Sequence, residues 1–364
     1  MKRLNKKNNV NIVNKNIKKI ALVAGGTGGH IFPAVSLAKW IKVNRRDTDV
    51  IFFSGNRQLE KEIYNTAEFA PIVLPMQGSP LSGNLSTKLK RLCNLIRSFF
   101  TSNGYLREEK PDFVLFFGGY ISFPVYLAAK LRSIPVALHE QNACAGKVTR
   151  LFARFGEKIF SGFKVCLPLE ADKVTYTGIP TRKFDLLPKE VALEELALPK
   201  ELSKGKIVLV LTGSLGSETI KDAILSLPSD KNFAGINFIL PATSDKTKQV
   251  GKNIWLLPRI WKTELLFSLA DAIIARAGAS SLAEISDLAI PAIVIPWKGA
   301  KDNHQYFNAR EFVKDNNAIF LDEDDIAKNL AQKLQDIFSR AKTSATTEDA
   351  SNKIFTEIEN SLNK

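Results

Sequence analysis

The chain has 364 residues, of which 45% are hydrophobic, and a formal net charge of +14. That length suits about two domains with a core in each, and the composition excludes a fibrous or low-complexity protein. Residues 1–20 hold seven Lys or Arg and no acid, so half of the excess charge sits in that tail. Residues 1–16 lack the apolar run of a signal peptide and are expected to be disordered. The longest uncharged run, Phe113 to Ala129, is too short to span a membrane and is broken by Gly118, Gly119 and Pro124. Cys93, Cys144 and Cys166 form no C-x-x-C pair, and His30, His139 and His304 are widely separated. This spacing argues against a structural zinc site and fits a reducing cytosol.

In chain order, the first element is a β-branched and aliphatic run, Ile20 to Val23, which predicts a buried strand. The loop GGTGGH follows, and a helix is expected from Pro33, a residue favoured in a first helical turn. Glycines between a strand and a helix let backbone N–H groups approach an anion closely. Two familiar motifs fail here: Ile31 stands where a dinucleotide fingerprint read from Gly26 needs its third glycine, and the Gly-Lys-Ser/Thr of a P-loop is absent. Further strands are predicted at Val50 to Phe53, Ile72 to Leu74, Phe113 to Phe117, Val136 to His139 and Val174 to Tyr176.

A charged stretch from Arg182 to Lys206 separates these from a second series. It begins with KIVLVLTGS and continues at Asn237 to Leu240, Ile254 to Leu257, Ala272 to Ala275, Ala292 to Pro296 and Ala318 to Leu321. The pattern predicts an α/β protein with two doubly wound Rossmann-like domains, residues 17–181 and 182–342, facing a central cleft. Residues 343–364 are expected to form a helix that returns to the first domain. Three strands end in glycine loops: GGTGGH, FFGGY with Gly118 and Gly119, and TGSLGS. One alone would be only a tight turn. Two on one side of a cleft and one on the other suggest two anionic groups, a donor and an acceptor.

The segment LSTKLKRLCNLIRSFF sets Leu85, Leu89, Leu92, Ile96, Phe99 and Phe100 against Lys88, Lys90, Arg91 and Arg97 at helical spacing. Such a helix either packs on its own sheet or docks on anionic lipid. The basic residues are not interleaved with aromatics as single-stranded nucleic acid requires, so no nucleic-acid partner is expected.

The ordered motifs AGGTGGHIFPA, GGYISFP, HEQNACAG, GIPTR, TGSLGS, RAGASSLAE and KDNHQYFNA span about Ile20 to Arg310. In that order they resemble the MurG family, the bacterial UDP-N-acetylglucosamine:lipid I N-acetylglucosaminyltransferases. The resemblance implies a GT-B fold and an inverting enzyme that uses no metal and no cofactor. It also implies transfer of N-acetylglucosamine from UDP-GlcNAc to the C4 hydroxyl of MurNAc in undecaprenyl-linked lipid I. The product, lipid II, is the peptidoglycan precursor, and the enzyme would sit peripherally on the anionic cytoplasmic face of the inner membrane.

A sugar nucleotide needs its diphosphate neutralised as the glycosidic bond breaks, and no Asp-x-Asp motif in a plausible loop offers a cation. In RAGASSLAE, Gly278 precedes a helix whose first turn holds Ser280 and Ser281, so free N–H groups and hydroxyls can receive the β-phosphate. Ser214 is a second such donor. Glu284 lies three residues after Ser281, the spacing of a capping box; the resemblance instead makes it the acceptor of the ribose hydroxyls. The resemblance also extends the donor contacts to Ala279, Leu282 and Ala283, and assigns the uracil to the backbone of Ile260. It assigns the sugar to Thr27, Gly28, Gly29, Asn142 and Gln305, a nucleotide-sugar contact to Arg182, and the acceptor loop to Gly118, Gly119 and Tyr120.

The acceptor hydroxyl must lose a proton as it attacks the anomeric carbon. His30, at the mouth of the glycine loop, is the natural general base, with Glu140 as its rival; His139 reads as structural. Gly178-Ile179-Pro180 stands where the family usually has Gly-Asn-Pro, and His304 where glutamine is common. Other readings of the same loops are a related GT-B glycolipid glycosyltransferase, such as one acting on diacylglycerol, a UDP-GlcNAc epimerase, or a sugar-nucleotide-binding subunit without catalysis.

Overall fold

A computed structural model describes residues 17–78, 85–212, 217–227, 233, 235–340 and 349–363, with backbone alone over 85–88. The basic tail, Ser214 with most of its loop, and the side chains of Leu85 and Lys88 lie outside the described residues.

The first half alternates strand and helix: β1 (Lys19–Val23), α1 (Gly28–Asn44), β2 (Asp49–Ser54), α2 (Gln58–Thr66), β3 (Ile72–Val73), α3 (Leu85–Glu109) and β4 (Phe113–Phe116). It continues with α4 (Ser122–Leu131), β5 (Val136–Glu140), α5 (Lys147–Arg154), β6 (Lys158–Ser161) and β7 (Val174–Tyr176). These strands form a parallel sheet in the order β3-β2-β1-β4-β5-β6-β7. The second half holds α6 (Lys189–Glu195), β8 (Lys206–Leu211), α7 (Glu218–Ser226), β9 (Ile236–Leu240), β10 (Lys248–Gly251), β11 (Ile254–Leu256) and α8 (Thr263–Leu269). It ends with β12 (Ala272–Ala275), α9 (Ala279–Asp287), β13 (Ala292–Val294), α10 (His304–Asp315), β14 (Ala318–Phe320), α11 (Ile326–Ser339) and α12 (Ala350–Leu362). Its sheet runs β10-β11-β9-β8-β12-β13-β14, parallel except for the antiparallel edge strand β10.

Among the parallel strands of each sheet the order has a switch point, between β1 and β4 and between β8 and β12. Loops leaving such a point on the carboxyl side diverge to opposite faces and open a crevice, the usual ligand site of a doubly wound sheet. GGTGGH follows β1, FFGGY follows β4 and RAGASS follows β12, so three of the motifs stand at these two points.

Two strands lie outside the sequence expectation. In β10 three of four residues are exposed, so no apolar alternation marks it. In β6 only the three residues Ile159 to Ser161 are buried, a run too short to signal a strand. The first helix also differs: it begins at Gly28, not at Pro33, after an extended Thr27. Pro33 then falls inside the helix, where its missing N–H leaves the Gly29 carbonyl without a helical partner. That oxygen accepts a bond from the Ser280 hydroxyl across the cleft at 3.1 Å.

The chain's last helix is sequestered by the first sheet's helix layer. Ile354, Phe355 and Ile358 of α12 are buried in one cluster with Val35, Ala38 and Ile41 of α1. The Phe355 ring lies 5.8 Å from that of Trp40, whose Nε1 donates to Asp349 at 2.8 Å. Lys158 of β6 pairs with Glu357 at 2.6 Å. Phe355→Ala should therefore destabilise the first domain by about 3–5 kcal/mol, the usual cost of truncating a buried phenylalanine. Urea titration followed by fluorescence checks this; a loss below about 1 kcal/mol would mean that α12 adds little to that core.

Candidate functional site

A cleft of about 1720 Å³ opens between the two sheets. Its first wall is built around a buried carboxylate that no sequence motif marks. Glu60 of α2 is wholly buried. It accepts from the Gly26 N–H, from the Arg57 N–H at 2.8 Å, and from the Tyr120 hydroxyl at 3.0 Å on both oxygens. Burial, reinforced by the Glu60 charge, pushes the Tyr120 hydroxyl well above its usual range, so it stays protonated and donates. Glu60 thus ties the GGTGGH loop to the FFGGY loop. Gly119 is required at their contact: its φ is +87°, and a Cβ there would sit 2.4 Å from the Gly25 carbonyl oxygen.

His30 stands in the first turn of α1, over Gly118, and lines the cleft. Its Nδ1 meets the Gln141 Oε1 at 2.9 Å. Gln141 is 2% exposed and in turn contacts His139, which is completely buried. Glu140 is occupied differently. One oxygen accepts from the Asn142 N–H at 3.0 Å and its amide at 2.9 Å; the other accepts from the Gly146 N–H at 2.9 Å and the Thr149 hydroxyl. Four donors on two oxygens make it the brace of the HEQNACAG turn and of the start of α5.

On the second wall, Gly278 is the extended residue before α9, and Ser280 and Ser281 lie in the first turn of that helix. Glu284 makes no capping box, because Ser281 is already inside the helix and no side chain caps its start. It is buried and receives a bidentate pair from Arg182, at 2.7 Å from Nε and 3.0 Å from Nη2. Burial pushes the Glu284 carboxyl up from its usual value, and Arg182 opposes that shift. The Arg182 guanidinium also lies over the Phe32 ring at 4.6 Å, so it joins the linker, α1 and α9.

Thr27, Gly28, Gly29, Asn142, Ile260, Ala279 and Gln305 also line the cleft. The side chains of Leu282 and Ala283 do not. They face the other side of α9, where Leu282 is buried in the domain core and both residues border a separate groove. A helix nine residues long cannot show six consecutive side chains to one ligand, because successive side chains are about 100° apart. His304 heads α10 with its Nδ1 2.7 Å from the Lys301 carbonyl, and Ile179 is buried beside Gly162.

Two further polar residues carry the seam and the floor. Asn308, fully buried, accepts from the Ala143 N–H at 2.8 Å and donates to the Asn142 side chain and to the Ala277 carbonyl, each at 3.0 Å. Arg276 donates to the Ser217 hydroxyl at 2.6 Å and to Glu323. Both Glu60 and Asn308 had a visible signal: each is a polar residue on the apolar face of a helix, with Ile63 and Tyr64 or with Ala309 and Phe312. Among the described residues no group of three His, Cys, Asp or Glu could hold a metal ion.

The α3 helix presents a second apolar stripe. Leu89, Leu92, Ile96 and Phe100 are 63, 48, 51 and 65% exposed, so this face is not packed on the sheet. Leu95, Phe99 and Leu106 make the inward contacts instead. Leu89, Leu92, Leu95 and Phe123 also line the cleft, so the stripe reaches its rim. No helix among the described residues is long and apolar enough to cross a membrane.

Residues 20–161 match the glycosyltransferase family 28 N-terminal domain, and residues 207–362 match its C-terminal domain. The UDP-N-acetylglucosamine–N-acetylmuramyl-(pentapeptide) pyrophosphoryl-undecaprenol N-acetylglucosamine transferase of Caldanaerobacter subterraneus subsp. tengcongensis is 32% identical over 355 residues. That alignment covers 91% of this chain and 96% of the relative. Among solved structures, Acinetobacter baumannii MurG superposes with a TM-score of 0.65 at 23% identity, covering 95% of this chain and 99% of that one. A putative UDP-N-acetylglucosamine 2-epimerase from Listeria monocytogenes gives the same TM-score at 13% identity, covering 95% and 97%. These two likenesses concern the fold; kinship rests on the two matched domains and on the near full-length identity to the transferase. The chain is a glycosyltransferase and belongs to family 28, in the MurG family of N-acetylglucosaminyltransferases.

Proposed function

We propose that this enzyme transfers N-acetylglucosamine from UDP-GlcNAc to the C4 hydroxyl of MurNAc in undecaprenyl-linked lipid I, with inversion, to give lipid II. The observation that carries this reading is the meeting of Gly29 and Ser280 at 3.1 Å, which sets the loop bearing His30 directly opposite the start of α9. A donor phosphate received by α9 and a base acting on an acceptor hydroxyl then share one space.

In this mechanism the free N–H groups of Ala279, Ser280 and Ser281, with the two serine hydroxyls, receive the diphosphate at the positive end of α9, and Ser214, outside the described residues, is a second donor to it. The Ile260 backbone pairs with uracil, and Glu284 accepts the ribose hydroxyls, which requires Arg182 to yield or share the carboxylate. Thr27, Gly28, Gly29, Asn142 and Gln305 surround the sugar, while Gly118, Gly119 and Tyr120 frame the acceptor. His30 takes the proton of the C4 hydroxyl as that oxygen attacks the anomeric carbon and UDP leaves from the opposite side. Glu140 is the weaker candidate, since its oxygens are engaged by four donors. The outward stripe of α3, flanked by exposed Lys90 and Arg97, would dock on the anionic cytoplasmic surface of the inner membrane and lead lipid I to the cleft.

Labelled UDP-GlcNAc with a soluble lipid I analogue, in EDTA, tests the reaction. Transfer to the acceptor is expected; release of free sugar or epimer without acceptor would favour the other readings. In the same assay His30→Ala should lower kcat by about a hundredfold or more, the range of a general base, with UDP affinity held within a factor of about two. Normal turnover would remove the base from His30.

Glu284→Gln should weaken UDP binding by roughly tenfold or more, as loss of a charge-assisted hydrogen bond costs about 1.5–3 kcal/mol. Calorimetric titration measures it, and unchanged affinity in a folded variant would refute the ribose contact.

Replacing Leu92, Ile96 and Phe100 together by serine should reduce flotation with anionic vesicles at least tenfold, since burying each such side chain contributes about 1.5–3 kcal/mol. Unchanged flotation would disconnect this stripe from the membrane.

A further inference from the structure

We propose that Gln141 and His139 are positioning residues that hold His30 in a single tautomer, with its proton on Nδ1 and its lone pair on Nε2. This inference rests on the reading of His30 as the base and names the machinery that makes it one.

The assignment follows from donors and acceptors alone. A backbone carbonyl can only accept. The Gln141 side-chain nitrogen lies 2.7 Å from the His139 carbonyl oxygen, so it must be the amide N–H₂ that points there. The amide oxygen consequently faces the His30 Nδ1 at 2.9 Å, and two acceptors cannot share a hydrogen bond. His30 Nδ1 therefore carries the proton.

The far end of the chain agrees independently. His139 Nε2 is 2.8 Å from the Gly178 carbonyl oxygen and must donate to it, which leaves His139 Nδ1 as an acceptor. That nitrogen sits 3.1 Å from the Gln141 amide nitrogen and takes its second N–H. Burial also lowers the His139 ring to about 4, so the ring stays neutral and Nδ1 remains able to accept. The full sequence runs from the Gly178 carbonyl through His139 and Gln141 to His30, and each member has one permitted polarity.

The outcome matters because only a ring nitrogen without hydrogen can take a proton. Nε2 of His30 has no protein partner among the described residues, and the ring lines the cleft. The opposite tautomer would aim a donor at the incoming hydroxyl and disable the base. When the acceptor proton arrives on Nε2, the charge stays on His30, because an amide cannot take the proton from Nδ1; the Nδ1–H to Gln141 bond then becomes charge-assisted and shortens. The Gly178 end lies in the segment that leads into the second domain, so the orientation of the base is anchored in the linker.

The test is ¹⁵N NMR of the imidazole rings in the intact protein, which has only three histidines. His30 is expected to show a pyrrole-type Nδ1 and a pyridine-type Nε2, and His139 the reverse. A pyridine-type Nδ1 on His30 in the folded wild type overturns the proposal. Gln141→Leu should move His30 toward the opposite tautomer and lower kcat by about tenfold, the factor carried by one ordinary hydrogen bond, while KM for UDP-GlcNAc stays constant. An unchanged kcat in that variant also overturns it. If the variant does not fold, the wild-type spectrum decides. His30→Ala in the same assay separates the two ideas: full turnover there defeats the base, whereas an inactive His30→Ala with a pyridine-type Nδ1 in the wild type defeats only the relay.

Discussion

A carboxylate removed from water must be met by donors, and the first wall of the cleft is arranged around that demand. Glu60 draws in the Gly26 and Arg57 amides and the Tyr120 hydroxyl, which belong to three separate loops. Leaving a buried charge unpaired costs several kcal/mol, so these loops are held in one relation to each other. The glycines follow from the same constraint. A side chain at Gly25 would approach Glu60 to 2.9 Å, and one at Gly55 would overlap the Tyr120 hydroxyl at 2.0 Å. The glycine-rich sequence therefore serves the packing of the loops around Glu60 as much as any approach by a ligand.

The two domains meet through a different kind of contact. Gly29 with Ser280, Arg182 with Phe32, and Asn308 with Asn142 and Ala143 are individually polar or cationic, and Arg150 with Asp302 is a half-exposed pair at 3.2 Å. A hydrogen bond of this kind contributes about 1 kcal/mol and an exposed ion pair 1 kcal/mol or less. Each domain's core, by contrast, is two large clusters of aliphatic and aromatic side chains, and across the seam Phe163 packs against a cluster of the second domain and Trp261 against one of the first. Most of the seam is thus a set of separate small interactions, and the reacting groups are divided between its two sides.

The alternation of strand and helix made the two sheets legible, because a β-branched run followed by a helical period leaves few alternatives. The glycine loops and RAGASS could be placed from sequence because their chemistry depends on where a strand ends. Boundaries were less visible. Pro33 is a good first-turn residue, yet the helix starts at Gly28, since a proline costs little where the carbonyl it orphans finds Ser280. The side chains of Leu282 and Ala283 turn away from the cleft because a motif is linear and a helix rotates. Glu60, Gln141 and Asn308 illustrate the deeper limit: each bonds to groups far away in the chain, and their partners are known only once the fold is formed.

The position of α12 has a consequence for how the molecule is made. The first domain's strands end at Tyr176, but the residues that cover α1 begin near Ile354. At about 5–20 residues per second, roughly 10 to 35 seconds separate the synthesis of these two points. During that interval the ribosome-bound chain holds a complete first sheet whose Trp40 side is still open to solvent. The domain translated first is thus the one finished last, and the nascent chain carries an apolar surface for as long as its second half takes to emerge.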